Sequence, residues 1–294
     1  MARINIQFTR FSAFYSPLIA TAAGGFLSEE GLEPELSIAP PGVSAIEALL
    51  DGSAHVVQSA PSQGLSSLEK GEQPAAVHFA QINEKDGFFL TARQPDPDFA
   101  WANLTGRRVL VDHGGQPMAM FLYACLRQGI DPAAINLEDA GNAGEMDAAF
   151  RAGRGDFIHQ QGPAPQQLEH DGVGHVVTAL GDAIGPCAFS SLATTRDWLN
   201  TDMAAAFMRA YRKARQWINT APAAEIAKIE KSHFPDIDEA VLTQTIKAYQ
   251  ALGCWSEHVE ITREAFQVTL DIFANVGRHV EGDAYAKVVA APPG

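Results

Sequence analysis

The stretch from Ile6 to Leu36, IQFTRFSAFYSPLIATAAGGFLSEEGLEPEL, moves from a two-residue apolar period to a helical one and back, and this constrains the chain more than any other feature. IQFT alternates as a strand does, and RFSAFY is an aromatic-rich loop. Ser16-Pro17 supplies a helix cap and first position, because a serine oxygen accepts an orphan N–H and proline has none to satisfy. Leu18, Ile19, Ala22, Ala23, Phe26 and Leu27 keep one helical apolar stripe, which Gly31 ends. A second strand is expected from Pro34 to Ile38. Such a strand-loop-helix-strand unit puts a polar-aromatic loop at the carboxyl end of its first strand, where open α/β sheets bind ligands.

The pattern then repeats. SIAPPG makes a Pro-Gly turn, Val43 to Leu50 reads as a helix stopped by Asp51-Gly52, and AHVVQ reads as a buried strand running into Ser59-Ala60-Pro61-Ser62. A helix over Leu65 to Lys70 and a strand over Ala75 to Ile82 follow, with Asn83 opening the polar NEKDG punctuation before FFLTAR. Strands alternating with helices imply a parallel sheet with right-handed crossovers. A second α/β block begins there. Its strand Arg107 to Val111 enters Asp112-His113-Gly114-Gly115-Gln116-Pro117 and the helix MAMFLYACLRQG. The strand Ile135 to Glu138, the helix Ala143 to Ala152 and the strand Asp156 to His159 come next, the last ending in Gln160-Gln161-Gly162-Pro163. VGHVVTAL and PCAFSSLATT are the last extended segments. From Arg196 the chain turns helical, led by TDMAAAFMRAYRKARQWIN, and this tail is expected to pack on the first unit.

With 294 residues, 46% apolar and 19% charged, the chain reads as a globular protein of about two domains. Its net charge of −14 argues against nucleic acid and against docking on anionic membrane, since both need a basic face. Local backbone N–H groups can still hold a small anion. No apolar run approaches the roughly 20 residues of a membrane span, so no direct membrane insertion is expected. MARINIQFTRF enters a strand pattern without the charged, apolar and small-residue regions of a signal peptide, which leaves a cytoplasmic protein or a mature form. Cys125, Cys187 and Cys254 form no CxxC pair and read as buried free thiols.

Four strand ends carry the candidate chemistry. Gly114-Gly115-Gln116-Pro117 joins a strand to a helix start, which is either an anion seat or a tight turn. Ser59-Ala60-Pro61-Ser62 offers hydroxyls that serve a ligand or cap the next helix, and lacks the GxSxG form of a nucleophile elbow. His159-Gln160-Gln161 can hydrogen-bond a ligand. Phe11, Phe14 and Tyr15 on the first loop either pack or face a flat ligand. The nine histidines form no HExxH or i, i+4 pair, so no metal site is expected. No nucleophile, base and orienting group come together in the pattern, so no enzyme and no cofactor are expected.

The order SPLIATAAGGFLSEEGLEPEL, GVSAIEALLDGSAHVVQSAPS, LTGRRVLVDHGGQP, GIDPAAINL, AAFRAGRGDFIHQQGPAPQQLE and FMRAYRKARQWINTAP resembles a known superfamily. It is similar to the substrate-binding proteins of ABC importers for sulfonates, taurine and nitrate, together with the thiamine-pyrimidine-synthase-like proteins. The resemblance covers nearly the whole chain. It implies an α/β, two-lobe type II periplasmic-binding-protein fold with the helical C-terminal tail packed on lobe I. Lobe I would combine residues 1–87 and 189–294, lobe II would span 88–188, and the hinge would lie near 83–92 and 185–191. The implied cleft gathers Arg10, Phe11, Phe14, Tyr15, Ser16, Ser59, Ala60, Pro61, Asn83, His113, Gly114, Gly115, Gln116, Pro117, Gln160 and Gln161. The implied function is capture of a sulfonate, a nitrate-like anion or a pyrimidine or aromatic compound for import. The partner would be an ABC permease, the location periplasmic or extracellular, and the protein a monomer. Enzymes on the same fold (pyrimidine synthases, desulfinases) and a cytoplasmic ligand sensor are the alternatives.

Overall fold

The computed structural model describes residues 1–40 and 42–294. Strand β1 (Ala2–Phe8) buries Ile4, Ile6 and Phe8 on one face, as its alternation requires. The helical stripe that follows divides into α1 (Ser16–Ala23) and α2 (Phe26–Glu29). Gly25 adopts φ 83 between them, a left-handed conformation that glycine tolerates and a continuous helix cannot contain. The single helix expected to Leu27 is therefore corrected to two. The N-cap of α1 is Tyr15 rather than Ser16, whose hydroxyl sits in the first helical turn. β2 (Leu32–Ile38), α3 (Ala45–Leu50), β3 (Val56–Ser59), α4 (Leu65–Glu69) and β4 (Val77–Asn83) complete the first α/β run. The Pro-Gly turn expected near residues 40–42 includes Pro41, which lies outside the described residues.

The second run comprises β5 (Phe88–Ala92), β6 (Arg108–Leu110), α5 (Gly115–Arg127), β7 (Asn136–Glu138), α6 (Ala143–Arg151) and β8 (Phe157–Gln161). It ends with α7 (Ala164–His170), β9 (His175–Ala179) and α8 (Leu180–Ile184). The chain then returns through β10 (Ser190–Thr194) and closes with α9 (Asp202–Thr220), α10 (Ala223–Glu230), α11 (Glu239–Leu252), α12 (Arg263–Ala274) and α13 (Ala284–Val288).

Two five-stranded sheets result, ordered β2-β1-β3-β10-β4 and β7-β6-β8-β5-β9. The fold is α/β with two lobes, one per sheet. The first sheet is mixed and not wholly parallel: β1 runs parallel to β2 and β3, while β10 inserts antiparallel between β3 and β4. Local periodicity cannot reveal this insertion, because β10 lies more than a hundred residues after its neighbours. The chain passes between the sheets at residues 84–87 and again at 185–189. These crossovers run side by side, with Cys187 N–H donating to Glu84 O at 2.7 Å.

The tail packs on lobe I, chiefly through α9 against α1 and α2. Its Arg215 is fully buried and donates to Gln81 O, Ile82 O and Ser256 O, tying α9 to the end of β4. The tail also reaches lobe II: Tyr249 on α11 accepts from Gly162 N–H at 2.8 Å and donates to Gly87 O at 3.0 Å. All three cysteines are buried and free.

Asp86, in the first crossover, is fully buried. Its Oδ1 accepts from Phe88 N–H at 2.7 Å and its Oδ2 has no partner among the described residues. Burial pushes its carboxyl from the ordinary 3.8 up to about 7. Across that window the folded protein holds a proton that the unfolded chain has released. The stability contribution is therefore present at low pH and lost as pH rises through about 7. Asp86→Asn keeps the acceptor for Phe88 and removes the charge. Its melting temperature should gain on that of the unaltered protein between about pH 5 and about pH 8. An equal difference at both pH values would contradict the assignment.

Candidate functional site

The lobes meet over a cleft. Ser12 Oγ donates to Gly162 O at 2.7 Å on one side, and Ser62 Oγ donates to Gln116 Oε1 at 2.6 Å on the other. Gln116 Nε2 also donates to Phe189 O at 3.1 Å, so this side chain latches α5 to the second crossover.

Between these contacts lie two cavities. One, of about 400 Å³, is lined by Thr9, Tyr15, Gln58, Ser59, Ala60, Ser190, Gln116 and Pro117. The other, of about 290 Å³, is lined by Phe11, Ser12, Met146, Asp147, His159, Gln160 and Ile237. Arg10, Phe88 and Gln161 line both and form the wall they share.

Arg10 lies two residues beyond β1, which places it in the wall of both cavities. It is exposed and, among the described residues, makes no ion pair and no hydrogen bond. Opposite it on lobe II, α5 begins at Gly115 with no side chain capping its first turn. An arginine with no ion pair among the described residues and a helix start with no side-chain cap both favour an anion, with Asp112 and Asp147 the carboxylates of the neighbouring cavity wall. Tyr15, Ser59 and Ser190 add hydroxyls to the same cavity.

The 290 Å³ chamber differs in character. His159 is fully buried, stacks on Phe88 with ring centroids 4.5 Å apart, and has no partner at either ring nitrogen. Burial pushes its imidazole down to about 3, so the ring is neutral at physiological pH. Gln160 Oε1 and Gln161 Oε1 are also buried without partners. Asp147 Oδ2 is held by Arg151 Nε at 2.6 Å.

Nine of the sequence candidates thus line the two cavities: Arg10, Phe11, Tyr15, Ser59, Ala60, Gln116, Pro117, Gln160 and Gln161. The others do not. Phe14 is fully buried, packed against Tyr15, Phe189 and Tyr249 at centroid distances of 5.6, 5.3 and 5.1 Å. It belongs to the core under the cleft. Ser16 is also buried, with its Oγ 2.7 Å from Ala13 O and 2.8 Å from Glu230 Oε2. Burial pushes the Glu230 carboxyl well above its ordinary range, and the Ser16 hydrogen bond lowers it in part. Pro61 and Asn83 are buried outside the cavity walls. His113 points back to its own strand, with Nδ1 2.7 Å from Val111 O. Gly114 gives its N–H to Asp112 Oδ1 at 2.8 Å, and neither it nor Gly115 lines the cavities.

Residues missed by sequence reading include Met146, Asp147 and Arg151 on α6, Gln58 and Ser190 inside strands, and Phe88 at the start of β5. An amphipathic helix shows which of its faces is polar, but not that this face borders a cleft. Arg93, just past β5, is held away from the cleft by the carbonyls of Phe150, Arg154 and Gly155.

A family model described as NMT1/THI5 like matches residues 13–225. The chain belongs to the NMT1/THI5-like family. The Bacillus subtilis (strain 168) protein YtlA is 26% identical over 287 residues, which cover 95% of this chain and 86% of YtlA. Among solved structures, the periplasmic aliphatic sulphonate binding protein SsuA from Escherichia coli superposes with a TM-score of 0.74 at 13% identity, covering 100% of this chain and 94% of that one. The alkanesulfonate-binding protein SsuA from Xanthomonas axonopodis pv. citri, bound to MOPS, gives 0.72 at 16% identity and 98% of each chain. At these identities the structural likenesses establish the two-lobe type II fold. Among the described residues of this family member, no helix is long and apolar enough to cross a membrane.

Proposed function

We propose that this NMT1/THI5-like protein is a solute-binding protein that captures a small anion between its lobes for import by an ABC-type permease. The observation that carries this reading is Arg10, a cation with no ion pair or hydrogen bond among the described residues, which lines both cavities and shares one of them with Gln116 in the first turn of α5. The lobes would be residues 1–87 with 189–294 and residues 88–188, turning about 84–87 and 185–189. Closure would bury the ligand and present the closed form to the permease. The names of the relatives support the role, since both solved structures are sulfonate-binding proteins and YtlA carries the name of a binding protein. The protein would act outside the cytoplasm as a monomer.

Binding without catalysis agrees with the chemistry of the site. A desulfinase needs a thiolate in the cleft. Here burial pushes the Cys125 thiol up to about 12 and raises Cys187 and Cys254 as well.

Titration calorimetry against alkylsulfonates, taurine, nitrate, aromatic carboxylates and aminopyrimidines tests the reading. At least one anion should bind with a Kd below about 1 mM, equivalent to roughly 4 kcal/mol. If only neutral compounds bind, or none does, the anion reading fails.

A further inference from the structure

Two strand-end loops of the first lobe close directly onto the second, and each contact is made by protein groups alone. After β3, Ser62 donates its hydroxyl at 2.6 Å to Gln116 Oε1, in the first turn of α5. After β1, Ser12 donates at 2.7 Å to Gly162 O, just past β8. Gly162 N–H is held as well, donating to Tyr249 Oη on α11 at 2.8 Å. Ser12, Ser62 and Tyr249 are all buried, so water competes little for these bonds while the lobes are together.

The geometry of the Ser62 bond sets it apart. Phe189 O can only accept, so the Gln116 amide must present Nε2 to it, at 3.1 Å, and Oε1 is left for the Ser62 hydroxyl. One side chain thus joins the second lobe to the second crossover and to the first lobe in a fixed order. Ser62 is 5% exposed and lines neither cavity, while Gln116 lines the 400 Å³ one. The serine can therefore act on a captured molecule only through Gln116 and through the position of the lobes. Parting of the lobes breaks its bond and wets both partners.

We propose that Ser62 and Gln116 form a latch that holds the lobes closed without help from a ligand, so that the rate of capture is set by how often the latch opens. Ser62 is a positioning residue outside both cavities. A latch complete in protein groups stabilises the closed form by the same factor with a ligand and without one. Where the closed form already predominates, that factor cancels from the affinity. It stays in the rates: association scales with the open fraction, and dissociation with the frequency of opening. A neutral hydrogen bond of this kind contributes a factor of about three to ten.

The kinetic test rests on the anion reading of the cleft, and a scattering test does not. Stopped-flow mixing of the full chain with propanesulfonate, taurine, nitrate and benzoate gives both rates for each anion that binds. In Ser62→Ala, checked for an intact melting transition, association and dissociation should each rise about three- to tenfold, with Kd within about twofold. In a Gln116→Ala background the same substitution should change neither rate, a coupling that a merely structural serine would not show. A rise in dissociation alone means that the bond forms only around a bound anion, and it overturns the inference, as do unchanged rates. Small-angle X-ray scattering of the ligand-free chain gives the second reading. The unaltered protein should scatter as the closed structure does, and Ser62→Ala combined with Ser12→Ala should show a larger radius of gyration. An expanded unaltered chain, or a double variant as compact as the unaltered one, overturns the latch. Binding of none of the anions overturns the anion reading and leaves the scattering to decide the latch.

Discussion

Arg10→Ala should weaken anion binding by about 10- to 100-fold, because a hydrogen bond to a charged group contributes about 1.5–3 kcal/mol and each 1.4 kcal/mol is a factor of ten. The same substitution should leave the fold untouched. Arg10 is exposed and gives no hydrogen bond or ion pair to any described residue, so its loss strands no partner. Substitutions at such positions change stability by no more than about 0.5 kcal/mol. Arg10→Lys should recover part of the affinity, since lysine restores the charge without the planar two-pronged donor. Calorimetry with the tightest anion of the panel, paired with thermal melting, gives both readings. Unchanged affinity in Arg10→Ala would remove the anion reading of the cleft at its root.

Phe14→Ala should behave in the opposite way, with a large loss of stability. Truncating a fully buried phenylalanine costs about 3–5 kcal/mol, the sum of lost transfer energy and the cavity left behind. In a chain of this size that corresponds to a fall of roughly 10 °C in melting temperature. The Phe14 ring lies where a Cβ on Gly87 would sit, so side chain and crossover are packed to contact with no room for collapse. Its carbonyl also accepts from Trp255 Nε1–H at 3.0 Å, which ties the first loop to the tail. Tyr249, tilted against Phe14 with ring centroids 5.1 Å apart, is the residue that bonds both Gly162 and Gly87. The cavity should therefore loosen the contact between lobes as well as the core. A melting temperature within a degree or two of the unaltered protein would return Phe14 to the cleft surface.

These two residues are four apart on one loop, and the sequence does not tell them apart. Both stand in RFSAFYSP, and the aromatic spacing leaves cleft and core equally open for Phe14. The difference arises from residues far away. Phe189 and Tyr249 arrive from 175 and more positions downstream and cover the ring. Ser16 follows the same logic, because its partner Glu230 lies 214 residues on. The strand ends were legible by contrast: Ser59, Ala60, Gln116, Pro117, Gln160 and Gln161 all line the cavities they were expected to share. Chain direction and hydrophobic period suffice to say where a strand ends, and in an open α/β sheet that is where the ligand side lies.

The sequence by itself determined the alternation of strands and helices, the helical tail, and the polar composition of the strand ends. All of these follow from local periodicity and turn chemistry. Only the tertiary structure decided that β10 enters the first sheet antiparallel between β3 and β4, and that α11 joins the two lobes. It also decided that α6 turns Met146 and Asp147 toward the cleft, where they share a cavity wall with Arg10. The physical reason is the same in each case. Burial and pairing depend on the neighbours that folding brings together, and a short stretch of sequence does not contain those neighbours.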